Sequence, residues 1–196
     1  QRSLVGDMGT LGATLVRFLY GLPFAGAWLL LVLVFITPES RLPPLQLQYL
    51  LWLMLGAACQ LGATACLLVA MKQRNFIVGV AFSKTEVLQV GIFATLILQE
   101  VPTWLSGLAM VVSTVGVVML SLPPRLDGKV LQQGGSAAVF GLASGALFAL
   151  SSVGYRGAAL ELPGYSPWLI GGYNVLLAQL MQSLALGAWL AWRQPA

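Results

Sequence analysis

The sequence predicts an all-α polytopic membrane protein, a helix bundle of about six transmembrane helices, and three observations carry that expectation. Of its 196 residues 58% are hydrophobic and only 8% charged, and the mean hydropathy of +0.86 exceeds what a water-soluble core of this size requires. Apolar runs of helix-spanning length recur along the whole chain. Polar residues cluster between those runs instead of alternating with period two, which argues against a transmembrane β-barrel.

The first segment, 11–36, carries Arg17 and Pro23 and stops at TPESRLPP, where prolines and charges cannot continue a helix. The second, 47–71, ends at KQRN, and the third, 76–98, contains the stretch AFSKTEVLQVG. The fourth, 103–122, starts after Glu100 and Pro102 and ends before Pro123 and Pro124. The fifth, 136–160, holds Arg156 near its end, and the sixth, 166–192, has Pro167 at its start, where proline costs no helical hydrogen bond. The polar connector PPRLDGKVLQQGGS, 123–136, reads as a linker between two halves, 1–122 and 137–196. GAW at 26–28 returns at 187–189, a weak sign of internal duplication. The chain opens on QRSLVGD without an initiating Met and stops at RQPA directly after an apolar run, so a fragment of a longer protein is expected.

The net charge of +4 sits mostly at predicted helix ends, where membrane orientation explains it, and nucleic acid is not an expected partner. Alternate assignment of connectors puts Arg2, Lys72, Arg74, Arg125, Lys129 and Arg193 on one side and Arg41 and Arg156 on the other, which favours the first as cytoplasmic. Cys59 and Cys66 lie about two turns apart on one predicted helix, too far for a disulfide, and read as packing residues.

An ionisable side chain at mid-membrane costs about 3 kcal/mol, so Arg17, Lys84 and Glu86 must be offset by partners, a watery cavity or snorkelling. Lys84 and Glu86 lie about 200° apart around a helix and cannot pair with each other. Each therefore needs another helix. Arg17 is the expected partner of Glu86, with Gln89 sharing the Glu86 face. Further cavity candidates are Gln60 and Thr64, Ser83 and Thr85, Ser151, Ser152 and Tyr155, and Tyr173, Asn174, Gln179 and Gln182, although hydroxyl and amide groups also serve as glue between membrane helices. Gly141, Gly145 and Ala149 form a small-residue stripe, and Gly107 and Gly116 thin the fourth segment, so close backbone approach is expected at both. Trp104, Trp168 and Trp192 read as interface anchors, and Trp28 and Trp52 as packing. Catalysis is not expected: Ser83 and Lys84 point about 100° apart, the chain has no histidine, and no metal set, phosphate loop or cofactor motif is visible.

LQEVPTWLSGLAMVVSTVGVVMLSL, residues 98–122, resembles the hallmark of EamA-type domains of the drug/metabolite transporter superfamily, with Glu100 closing one helix and Gly107 and Gly116 in the next. KQRNFIVGVAFSKTEVLQVGIF is similar to the junction before it, Arg17 in LVRFLYGLPFA to an arginine of the second helix, and GLASGALFAL at 141–150 to the start of the second repeat. The resemblance implies helices two to seven of a ten-helix inverted-repeat transporter, multi-pass in a bacterial inner membrane, and a membrane orientation opposite to the charge count, so orientation stays open. A proline often follows the polar position in that family's fourth helix; Val87 stands there, which leaves a helix break unresolved. The expected function is export-biased movement of a small metabolite, such as an amino acid or related solute, by alternating access. The expected partners are the lipid bilayer and the solute; a proton is a candidate coupling ion and a homodimer a candidate assembly. The alternative is a non-transporting membrane scaffold or assembly subunit whose charges pair permanently.

Overall fold

The computed structural model describes residues 2–37, 42–73, 76–121 and 135–193, and among them all regular structure is helical. Helix α1, Arg2–Leu31, begins before the expected apolar start and runs into a wide π turn, Val32–Ile36, closed by the Thr37 amide on the Val32 carbonyl at 2.9 Å. Then follow α2, Leu47–Lys72; α3, Phe76–Ser83; α4, Glu86–Phe93, extended by a π turn, Ala94–Leu98; α5, Trp104–Ser121; α6, Gly135–Leu160; and α7, Pro167–Arg193. The single helix expected over 76–98 is thus two helices with a turn at Lys84 and Thr85. Of the linker 123–136 only Gly135 and Ser136 are described, and both already belong to α6.

Five segments are long and apolar enough to cross a membrane: Thr14–Ile36, Leu47–Lys72, Ile77–Leu98, Gly135–Leu160 and Pro167–Trp192. The expected six are therefore five plus a shorter apolar helix, Trp104–Leu120, at the lower end of membrane-spanning length. Large apolar side chains face outward throughout, Trp104 at 84% and Leu120 at 89% exposure on α5 among them, as hydrocarbon permits and water would penalise. The chain is an α-helical, multi-pass type of membrane protein.

Helix ends follow the local chemistry. Thr103 caps α5, its Oγ1 accepting the Ser106 amide at 3.3 Å while its carbonyl accepts the Gly107 amide. Ser166 precedes Pro167 and accepts the Ile170 amide at 3.0 Å. Gly164, at φ 88°, takes the left-handed conformation that the tight turn between α6 and α7 demands.

The described chain divides into two compact units, residues 1–58 with 154–196, and residues 59–153, the divide falling inside α2 and α6. The first has a core of Leu29, Val32, Tyr49, Leu53, Ala158, Leu162, Leu169, Tyr173 and Ala178. There α1 packs against α7, and α2 meets α6 so closely that a Cβ on Gly154 would stand 2.8 Å from the Gly56 nitrogen.

In the second unit the expected small-residue stripe does bring backbones together. A Cβ on Gly141 would collide with the Gly79 carbonyl, and Gly79 itself has the Ala137 carbonyl 2.8 Å from its Cβ position. Ala149 is fully buried. Gly107 and Gly116 do not do this: a Cβ at either meets nothing within 4 Å, because both lie on the outward side of α5. Gly141→Val should accordingly cost about 1–3 kcal/mol through overpacking, whereas Gly107→Ala should change stability by less than about 0.5 kcal/mol. Thermal unfolding of the purified chain in micelles checks both, and equal melting of Gly141→Val and wild type would contradict the packing.

Candidate functional site

The turn between α3 and α4 is made by side chains that compete for helix carbonyls. Ser83 Oγ donates to the Val80 carbonyl and Thr85 Oγ1 to the Phe82 carbonyl, each at 2.7 Å, and the Lys84 and Thr85 amides shift to partners three residues back at 3.1 and 3.2 Å. The Thr85 carbonyl then accepts from Leu88 and Gln89 and starts α4. Gln89 Nε2 reaches back to Thr85 Oγ1 at 2.8 Å. Gly145 of α6 lies against this turn, since its Cβ would stand 3.0 Å from the Ser83 carbonyl and 3.5 Å from the Glu86 nitrogen. A methyl group here would press on the turn and require it to yield by a few tenths of an ångström.

Lys84, Glu86 and Gln89, three of the expected cavity residues, are therefore gathered on one interruption of a membrane-length segment. Lys84 is exposed, and Thr85, Glu86 and Gln89 are half-buried. Glu86 occupies the first turn of α4, where the helix dipole favours a negative charge. A cation, a carboxyl, an amide and a hydroxyl within two turns can bind a polar solute or exchange a proton. Ser83, the candidate nucleophile of an enzyme, is buried with its hydroxyl engaged by Val80.

Tyr155 and Asn174 belong to a different assembly in the first unit. Tyr49 OH donates to Asn174 Oδ1 at 2.8 Å, Asn174 Nδ2 to the Tyr155 carbonyl at 3.2 Å, and Gln182 Nε2 to the Ala57 carbonyl and the Tyr155 hydroxyl at 3.2 and 3.3 Å. Tyr173 stacks on Tyr49 at 5.9 Å. Tyr49 and Gln182 are essentially inaccessible, so this network ties α2, α6 and α7 together in a dry interior. Gln60 is half-buried on α2, where its carbonyl accepts the Thr64 hydroxyl at 2.8 Å. Arg17 is exposed on α1, its guanidinium 5.9 Å from the Phe18 ring. Its expected pairing with Glu86 joins residues of the two units and stays a proposal.

Two participants escaped the sequence reading. Tyr49 stands near a helix start, and only its i, i+4, i+8 register with buried Leu53 and Ala57 marks it as inward-facing. Ser144, fully buried, donates to the Ala63 carbonyl at 2.9 Å; its place between Gly141 and Gly145 was the available signal. Trp52 packs on Gly157 as expected, but Trp28 is 43% exposed and meets Trp168 edge to face at 6.4 Å rather than filling a core.

Compared with protein-family models, with curated proteins and with solved structures, the chain matches none. The reading of the site rests on its own geometry. A double-mutant cycle of Tyr49→Phe with Asn174→Leu should return a coupling of about 0.6 kcal/mol, rising at most to about 1.7. Additive effects on thermal unfolding would mean that the buried hydrogen bond contributes nothing.

Proposed function

We infer that the chain belongs to an EamA-type secondary transporter that moves a small polar metabolite, such as an amino acid or related solute, across a bacterial inner membrane by alternating access, with export favoured. One observation carries this reading: a membrane-length segment interrupted at Lys84 and Thr85, with Lys84, Glu86 and Gln89 at the interruption. Irregular backbone persists at membrane depth only where it is buried in protein or lines a water-filled cavity, and discontinuous helices are a recurrent way of building solute sites in transporters. The resemblance of 98–122 supports the family; glycine contact at Gly145 supports a turn held in place by its neighbour. In this scheme Lys84 and Glu86, with Arg17, set the charge of the solute path, and Glu86 takes up either a coupling proton or the positive end of the solute. Lys84→Met combined with Glu86→Gln should lower flux of a labelled metabolite panel about tenfold or more in vesicles reconstituted with the protein, the factor that 1.36 kcal/mol produces. Unchanged flux would end the proposal.

The dry Tyr49, Asn174, Tyr155 and Gln182 network favours a second reading, a scaffold or assembly subunit whose polar groups only fix packing. The readings diverge at the turn. With Cys59 and Cys66 replaced by Ser, Lys84→Cys should react with a membrane-impermeant thiol reagent if a wet path reaches the turn, and should stay unlabelled in a permanently paired scaffold.

A further inference from the structure

The first unit contains a groove of about 510 Å3 between α1 and α7, a volume typical of small-molecule sites. Phe24, Trp28, Trp168 and Val175 supply apolar walls, Gly171 leaves room, and Gln179 lies at one end. Glycines close the floor: a Cβ on Gly172 would stand 3.1 Å from the Trp28 ring, and one on Gly21 only 2.7 Å from the Gln179 amide. From Pro167, where the apolar span of α7 begins, to Gln179 the helix rises about 18 Å, close to half of a ~30 Å hydrocarbon core. The groove follows that stretch of α7.

Its deep end is chemically incomplete. Gln179 Oε1 is buried with no hydrogen-bond partner among the described residues, and one turn further along the same face so is the hydroxyl of Ser183, which is only 7% exposed. Orphaned acceptors in hydrocarbon are destabilising until a donor reaches them. An acyl chain would fill the walls but offer no donor, and a strongly polar solute would be rejected by the rings. We propose that this groove is a binding site for a flat, apolar, membrane-dissolved molecule bearing a single hydrogen-bond donor, the ring system lying between Phe24, Trp28 and Trp168 and the donor meeting Gln179. Gln179 is one of the residues that line the groove, so a donor bound there lies beside its amide. The site is independent of the transport reading, which rests on the Lys84 turn.

The test uses 2-naphthol and naphthalene, which share a ring system and differ in the donor, added to the chain in lipid nanodiscs with empty nanodiscs as the blank. The expected result is saturable, equimolar uptake of 2-naphthol, about tenfold tighter than naphthalene. Gln179→Leu should close that gap, and Gly171→Leu, whose side chain enters open space at the groove, should remove both ligands. Equal binding of the two probes by wild type, absence of saturable binding, or full retention in Gly171→Leu overturns the proposal. The wild-type comparison decides even if a variant does not fold.

Discussion

Hydrocarbon offers no hydrogen-bond partners, and this constraint organises what the side chains of this chain do. At several interruptions of the helical ladder among the described residues, a nearby group supplies a bond. Ser83 and Thr85 turn their hydroxyls onto Val80 and Phe82, the Thr37 amide closes the π turn onto Val32, and Thr103 receives Ser106. Between helices, where lipid removes the hydrophobic drive to associate, close backbone packing takes over, as at Gly79 and Gly141 in one unit and Gly56 and Gly154 in the other.

The same constraint separates two classes of polar residue. Tyr49, Asn174, Tyr155 and Gln182 are joined by hydrogen bonds, with Tyr49, Asn174 and Gln182 buried, Tyr155 half-buried and Gln182 Oε1 left without a hydrogen bond among the described residues, and such a network stiffens the unit that contains it. Lys84 is exposed and Glu86 half-buried at the turn between α3 and α4. A charge retained at an interruption costs more than a hydroxyl would, so its presence points to use rather than packing. The buried network belongs to the first unit and the charged turn to the second.

Much of the fold was legible because mean hydropathy and proline-rich breaks locate membrane helices with little help from side-chain detail. The segments at 47–71, 136–160 and 166–192 match α2, α6 and α7 within a residue at each end. The break at Lys84 and Thr85 was left open by the sequence, since a single helix over 76–98 is long enough to span a membrane and no proline marks the turn. Back-bonding by Ser and Thr was the local cue, and its force depends on Gly145 arriving from far along the chain. That Gln89 shares the Glu86 face was legible from spacing, whereas the gathering of Lys84 with them on one turn was not, because an unbroken helix sets Lys84 and Glu86 about 200° apart, and the pairing of Asn174 with Tyr49 needed tertiary placement. Gly107 and Gly116 misled because glycine permits close approach without causing it.

Helix α7 illustrates why polarity alone could not separate these roles. Asn174, Ala178 and Gln182 repeat at four-residue spacing and are buried, the two amides tied to α2 and α6. Val175, Gln179 and Ser183 repeat at the same spacing one residue later, about 100° around the helix. Both rows hold an amide and a small or apolar neighbour, so a hydropathy profile sees them as one. Their difference lies in what approaches: the first row meets carbonyls and a phenol, whereas the second meets glycine and a groove. Within a single helix, the amide nitrogens of Asn174 and Gln182 on one row are tied to neighbouring helices, while Gln179 on the other lines a groove.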